Sequence, residues 1–85
     1  MSVKEVASKY IMKTERVLGE VKLTGGVPRL NHDHVRKVLE EAKRYLEDAK
    51  FYFDKERFEV SLASVAYCEG LLDALRMLGL AEFEW

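Results

Sequence analysis

Residues 61–79, SLASVAYCEGLLDALRMLG, constrain the fold more than any other part of the chain. This stretch is typical of one helix, and it is apolar almost all the way round. Its charged residues, Glu69, Asp73 and Arg76, share one narrow stripe at four- and three-residue spacing. Such a helix is not stable alone in water, so other segments, or another molecule, must cover it.

The composition predicts one small globular domain spanning residues 1–85. The chain is 48% hydrophobic and 34% charged, with one proline and one cysteine. These proportions are typical of a folded chain rather than a disordered one. A core of this size is marginal, and one cysteine forms no internal disulfide. We therefore expect helix packing or oligomerisation to stabilise it.

The first helix is predicted at about residues 3–22, because apolar residues recur every three or four positions from Val3 to Val21. Ser2 is its expected N-cap. Residues 24–31, TGGVPRLN, are predicted to form a loop, with Gly25 and Gly26 ending the helix. The loop lacks the residues of a P-loop or a dinucleotide fingerprint, so we read it as a helix–helix connection.

The second helix, at about residues 33–53, has the strongest periodic pattern. Asn31 or Asp33 is its expected cap. Charges of alternating sign recur along its outer rows at three- and four-residue spacing, so each has an opposite neighbour, which favours a solvated face over a phosphate-binding one. The apolar four-three repeat comprises Val35, Leu39, Ala42, Leu46, Ala49 and Phe53.

The third helix is predicted at about residues 56–78, with Asp54 as N-cap and Gly79 as C-cap. The short connection makes the second and third helices antiparallel neighbours. The expected fold is therefore all-α, a three-helix up-down bundle with a long antiparallel hairpin of helices two and three.

The third helix has more apolar surface than a bundle of three helices can bury. One side (Phe58, Leu62, Val65, Ala66, Leu72 and Leu75) is expected to pack on the other helices, which leaves a second side (Val60, Ala63, Tyr67, Leu71, Ala74 and Leu78). Either the tail at residues 80–85 covers that side, or another chain does. The candidate interface residues are Leu71, Leu78, Phe83 and Trp85, and the expected partner is a second copy, as a homodimer, or another protein.

The polar stripe of Glu69, Asp73 and Arg76 has two interpretations. Paired carboxylates at this spacing suit general acid/base chemistry or a divalent cation. Alternatively, the stripe is a solvent edge with Arg76 pairing Asp73, or a set of polar contacts that fix helix register. The pattern favours the structural interpretation, because no nucleophile or base accompanies it. We assign no catalytic residue, cofactor or metal.

Two other candidates for chemistry are weak. His32 and His34 lie two residues apart on a helix and point in different directions, so they do not share one ion. Cys68 is in the middle of a helix and reads as a small buried hydrophobe rather than a reactive thiol.

The charge pattern also bears on partners and location. A net charge of −1 argues against nucleic acid as a partner. No run is apolar and long enough to span a bilayer, and the charged N-terminal residues do not resemble a signal peptide. With one unpaired cysteine, the expected location is the cytoplasm.

Two segments within residues 42–79, AKRYLEDAKFYFDKERF and CEGLLDALRMLG, resemble a family of short, mostly archaeal proteins known as family 357 of the domains of unknown function. The most specific piece is EGLLDALRMLG. The resemblance implies an all-helical, three-helix fold and an archaeal source, which agrees with the absence of glutamine and the thermophile-like composition. It carries no catalytic residues, but it draws attention to Glu69, Asp73 and Arg76.

Two functions are expected. The first is a non-enzymatic interaction or self-association module that uses the third helix and the tail. The alternative comes from the resemblance, which implies that some relatives of this domain are joined to a nucleotidyltransferase-like domain. It is an accessory or small-ligand-binding subunit of such an enzyme that uses the Glu69, Asp73 and Arg76 stripe.

Overall fold

A computed structural model describes residues 1–24 and 32–85 of the chain. The predicted helix stop at Gly25 and Gly26 and the predicted cap Asn31 lie outside these residues. The described part forms three helices and one pair of two-residue strands, which confirms the all-α fold class. The elements are α1 (Val3–Glu20), β1 (Lys22–Leu23), α2 (His32–Asp54), α3 (Phe58–Met77) and β2 (Ala81–Glu82).

Helices α2 and α3 form the expected antiparallel hairpin. The rings of Phe53 and Phe58 lie 5.1 Å apart near the turn, and those of Tyr45 and Tyr67 lie 4.4 Å apart further along. Residue numbers therefore fall along α2 as they rise along the adjacent α3. A turn of three residues joins the two helices, and such a short turn forces neighbouring helices to run in opposite directions.

Helix α1 packs beside α3 in the same direction. Lys4 lies over the ring of Phe58 at one end of the pair, and Lys13 forms an ion pair with Glu69 further along. Residue numbers rise together along both helices, as an up-down bundle requires. The N-cap of α1 is Ser2, as predicted, and its hydroxyl accepts a hydrogen bond from the Glu5 amide at 3.1 Å.

The buried core follows one stripe of each helix. On α3 it repeats at four- and three-residue spacing, and this spacing leaves Ala66 exposed on the opposite side, so the expectation that Ala66 packs on the other helices is wrong. The hydroxyl of Ser61 lies inside this stripe and donates to the main-chain oxygen of Ala49 at 2.7 Å. The main apolar cluster comprises Ile11, Val17, Ala42, Leu46, Ala49, Val65, Cys68 and Leu72.

Helix α1 ends at Glu20, two residues before its predicted end. Val21 is extended, and the next two residues pair antiparallel with the tail, with Lys22 opposite Glu82 and Leu23 opposite Ala81. Val21 and Leu23 are partly buried while Lys22 is exposed, which is the alternation of a strand. The apolar residues that seemed to prolong the helix instead pack on a second small cluster, formed by Val35, Leu75, Leu80 and Ala81.

The turn between α2 and α3 corrects the predicted cap. Asp54 is the last residue of α2, and α3 begins at Phe58 after Arg57, which makes no side-chain capping bond. Glu56 adopts a left-handed conformation with φ of 60°, while the Glu56 amide donates to the oxygen of Phe53 and the Arg57 amide to that of Tyr52. This is a Schellman ending of α2. Asp54 cannot cap α3 because it still belongs to the preceding helix.

Gly79 ends α3 in the same way, one residue after the C-cap Leu78, so it follows the cap that it was predicted to form. Its φ is 74°, its amide donates to the oxygen of Arg76 at 3.0 Å, and the Leu80 amide donates to that of Leu75 at 2.9 Å. Leu75 and Leu80 also share a buried cluster, as is common for this motif. The chain therefore reverses at Gly79 and carries the tail back along the bundle.

The two helix endings predict opposite effects of substitution. Gly79→Ala should lower the free energy of unfolding by about 1 kcal/mol, since a left-handed conformation is costly for any residue with a Cβ. Glu56→Gly relieves the same strain and should raise it by up to about 1 kcal/mol. Urea unfolding of both variants measures the difference. Changes of the same sign in the two variants would contradict this account of the turns.

Candidate functional site

The three residues of the predicted polar stripe on α3 contact two different segments, α1 and the tail. Glu69 turns toward α1, where its Oε1 lies 3.0 Å from Nζ of Lys13 and accepts a hydrogen bond from the hydroxyl of buried Thr14 at 3.4 Å. An ion pair that also satisfies a buried hydroxyl links two packed helices and favours one register between them. Glu69 therefore joins α3 to α1.

Asp73 and Arg76 lie one turn further along and contact the tail. The indole Nε1 of Trp85 donates to Oδ1 of Asp73 at 2.6 Å, and Arg76 lies 3.3 Å from the same oxygen. The guanidinium of Arg76 also lies over the ring of Phe83, at 5.3 Å from its centroid. Both side chains are 42% exposed, so the ion pair itself adds little stability. The indole hydrogen bond is what ties the tail to α3.

The tail is held from α1 as well. Lys13 lies 5.1 Å from the centroid of the Trp85 ring, and the guanidinium of Arg16 donates to the main-chain oxygens of Trp85 and Glu84. Phe83 and Trp85 stack edge to face at 5.1 Å. We call Lys13, Asp73, Arg76, Phe83 and Trp85 the tail cluster. It holds the tail over the seam between α1 and α3 of the same chain.

These contacts occupy the groups that an acid/base or cation site would use. Each of the two carboxylates already accepts at least two polar partners, and Arg76 borders a shallow cleft that also contains Glu20, Glu82 and Glu84. A functional role for the stripe stays a prediction. Its observed contacts are those of the structural interpretation, in which polar groups fix the positions of packed segments.

The four residues predicted for an interface separate into two groups. Leu71, Phe83 and Trp85 are partly buried and pack against the main cluster of their own chain. Leu78, at the C-cap of α3, is 66% exposed. The tail therefore lies in cis, on the flank of α3 that faces α1.

The side of α3 that points away from the other helices stays open. Tyr67 is 57% exposed and Met77 is 83% exposed, although both are large and apolar. Small residues lie between them at helical spacing. We call this surface the outer face of α3, and it consists of Ala63, Ala66, Tyr67, Gly70, Ala74, Met77 and Leu78.

The outer face continues onto α2 through an aromatic contact. The ring of Tyr67 lies 4.4 Å from that of Tyr45, which is itself partly buried. Sequence reasoning placed Ala63, Tyr67, Ala74 and Leu78 on a second side of the helix, but it missed Ala66, Gly70 and Met77. A helical projection centred on Gly70 identifies these three residues, because the exposed positions 63, 66, 70, 74 and 77 follow one another in steps of three or four.

Within residues 1–24 and 32–85, no three His, Cys, Asp or Glu side chains lie close enough together to hold a metal ion. No helix in the same part of the chain is long and apolar enough to cross a membrane.

The fold and its contacts define a small all-α protein of three helices with a tail folded back on the bundle. A family model described as a protein of unknown function (DUF357) matches residues 9–81, and the chain belongs to this family. The match confirms the resemblance seen in the second and third helices. Neither a curated protein nor a solved structure matches the chain.

The tail cluster predicts a spectroscopic effect of Asp73→Ala. The substitution removes the acceptor of the Trp85 indole, and we expect about 1 kcal/mol less stability and tryptophan emission at longer wavelength. Trp85 is the single tryptophan, so the emission reports the tail alone. Glu40→Ala, an exposed carboxylate on α2, is the control. Unchanged emission in Asp73→Ala would show that this hydrogen bond does not hold the tail.

Cys68 is buried, as predicted, and its thiol is chemically protected. Burial raises the pKa of Cys68 to about 12, with a smaller contribution from the carboxylate of Glu69. A thiol reacts as its thiolate, whose fraction at pH 8 falls about a thousand-fold with such a pKa. We expect a disulfide reagent to label Cys68 at pH 8 only after unfolding. The variant Met12→Cys, with an exposed thiol, should react while folded, and equal rates at both positions would contradict the assignment.

Proposed function

We propose that this protein is a non-enzymatic protein-interaction module that docks a partner through the outer face of α3. The observation that carries the proposal is the open apolar surface that remains after the tail has folded back. Small soluble domains rarely leave a contiguous apolar surface in water without a binding role. Met77, the last residue of α3, and Leu78, its C-cap, extend this surface to the end of the helix.

The shape of the outer face suits a helix rather than a small molecule. Ala63, Ala66, Gly70 and Ala74 have short side chains or none, and the larger side chains of Tyr67 and Met77 are exposed on the same face. Short side chains let a second helix approach closely, and the larger ones supply contact area. A small ligand would instead need a concave pocket that encloses most of its surface.

The charges support a protein partner over nucleic acid. Two basic residues of α2 pair with acidic side chains, Arg44 with Glu41 at 2.6 Å and Lys50 with Glu15 at 3.0 Å. Paired cations do not release counterions from a phosphate backbone. The single buried thiol of Cys68 fits a reducing compartment, and we place the protein in the cytoplasm.

The alternative, an accessory or ligand-binding subunit that uses Glu69, Asp73 and Arg76, has less support. It would require the Trp85 indole and the Lys13 ammonium to leave carboxylates that they now contact. We therefore place the interaction surface on the outer face and not on the stripe.

A photo-crosslinking amino acid tests the proposal in cells. Placed at Ala66, it should give protein adducts that survive nuclease treatment, whereas at exposed Glu40 on α2 it should give none. Ala74→Glu in the same chain should abolish the adduct, because it puts a charge in the docking surface. Its Trp85 emission should stay normal, which shows that the fold is intact. No adduct at Ala66, or equal adducts at both positions, would overturn the proposal.

A further inference from the structure

The tail consists of two parts that are held in different ways. The first part, residues 80–82, is held by its main chain and by burial. Leu80 and Ala81 are only 4% and 3% exposed, and β2 pairs with β1. The amide of Thr24 donates to the oxygen of Leu80 at 3.0 Å, and its hydroxyl donates to the oxygen of Gly79 at 2.7 Å. These hydrogen bonds join uncharged groups.

Residues 83–85, which we call the strap, are held by side chains. Within residues 1–24 and 32–85, no hydrogen bond joins the main chain of the strap to another main-chain group. The rings of Phe83 and Trp85 pack against the main apolar cluster. The polar contacts of the strap in this part of the chain come from four charged side chains, which are Lys13, Arg16, Asp73 and Arg76.

The charged groups that hold the strap are in contact with water. The side chain of Lys13 is 30% exposed, that of Arg16 is 44% exposed, and those of Asp73 and Arg76 are each 42% exposed. Dissolved salt screens attractions between charges that reach the solvent. It affects apolar packing and uncharged main-chain hydrogen bonds much less. Ionic strength therefore weakens the attachment of the strap more than that of the first part of the tail.

We propose that the strap is a salt-sensitive latch that opens as a unit while the three helices and the β1–β2 pair stay folded. The hinge lies between Glu82, the last paired residue, and Phe83. Phe83 and Trp85 stack on each other, so they leave the bundle together. Segments with few main-chain hydrogen bonds are the ones that open locally without unfolding the rest.

Opening uncovers apolar surface in a defined place. The rings of Phe83 and Trp85 now cover part of the main apolar cluster on the flank of α3 that faces α1. This flank is separate from the outer face, so the inference does not depend on the proposed function. The closed strap thus conceals a second apolar surface, and the charges of Lys13, Arg16, Asp73 and Arg76 control when it is exposed.

Nuclear magnetic resonance can follow the strap alone, because Trp85 is the single tryptophan. Between about 0.05 and 1 M sodium chloride, we expect the ratio of open to closed strap to rise about two- to ten-fold, since screening removes most of the modest attraction between exposed charges. The indole N–H signal should move toward its position in the urea-unfolded chain. The main-chain N–H signals of Lys22 and Glu82, in the β1–β2 pair, should not.

Two variants with the same loss of charge test the mechanism. Arg76→Gln removes the cation beside Asp73, so the strap should be more open at low salt and should respond less to added salt. Lys43→Gln removes an exposed cation on α2 and should behave like the wild-type chain. The inference is wrong if salt does not move the indole signal, or moves it only together with the signals of the β1–β2 pair. Equal effects of the two variants would also overturn it.

Discussion

The structure depends on the packing of one side of α3 against the other two helices. Its inner stripe of Val65, Cys68 and Leu72 is fully buried against α1 and α2. Burial of apolar surface is the dominant favourable contribution to folding. A helix in a three-helix bundle offers only that one stripe to the core. The tail covers part of the remaining apolar surface, and the outer face stays exposed.

The tail covers one flank of α3, and polar groups hold it in place. The Trp85 indole and the ring of Phe83 cover apolar surface beside α1, while Asp73 and Arg76 set where those rings lie. Gly79 makes this possible, because the Schellman ending reverses the chain within two residues. The stripe that looked like a chemical site thus has the contacts of a docking point for the chain's own end.

Periodicity predicted the helices well because most of α2 and α3 repeats at helical spacing. It was less successful at the ends. Val21 and Leu23 continue a helical pattern by residue type, but their pairing with the tail is a contact between distant parts of the chain that local spacing does not encode. Asp54 looked like a cap, yet the left-handed Glu56 prolongs α2 past it. A non-glycine residue in that conformation has no signature in the sequence.

The candidate site shows the same division between local and distant information. The sequence placed Glu69, Asp73 and Arg76 on one stripe, and the structure keeps them on one side of α3. Their partners, Lys13 and Trp85, lie 56 and 12 residues away from the residues they contact, and no helical pattern identifies them. Likewise, Ala66 was assigned to the core because alanine fits either environment, and only the packing of the neighbouring helices distinguishes the two.

One turn of α3 shows why we propose a partner for the outer face. Successive helical residues point about 100° apart, so residues 69–72 face four directions. Glu69 contacts α1, Leu72 is buried in the core, and Leu71 packs at its edge, whereas Gly70 faces open solvent. An exposed glycine there costs about 0.5–1 kcal/mol relative to alanine, which is appreciable in a domain whose total stability is of order 5–15 kcal/mol. Three of the four directions are explained by contacts within the chain. A helix packed closely on the fourth side would explain Gly70 in the same way, because the absence of a side chain lets another backbone approach.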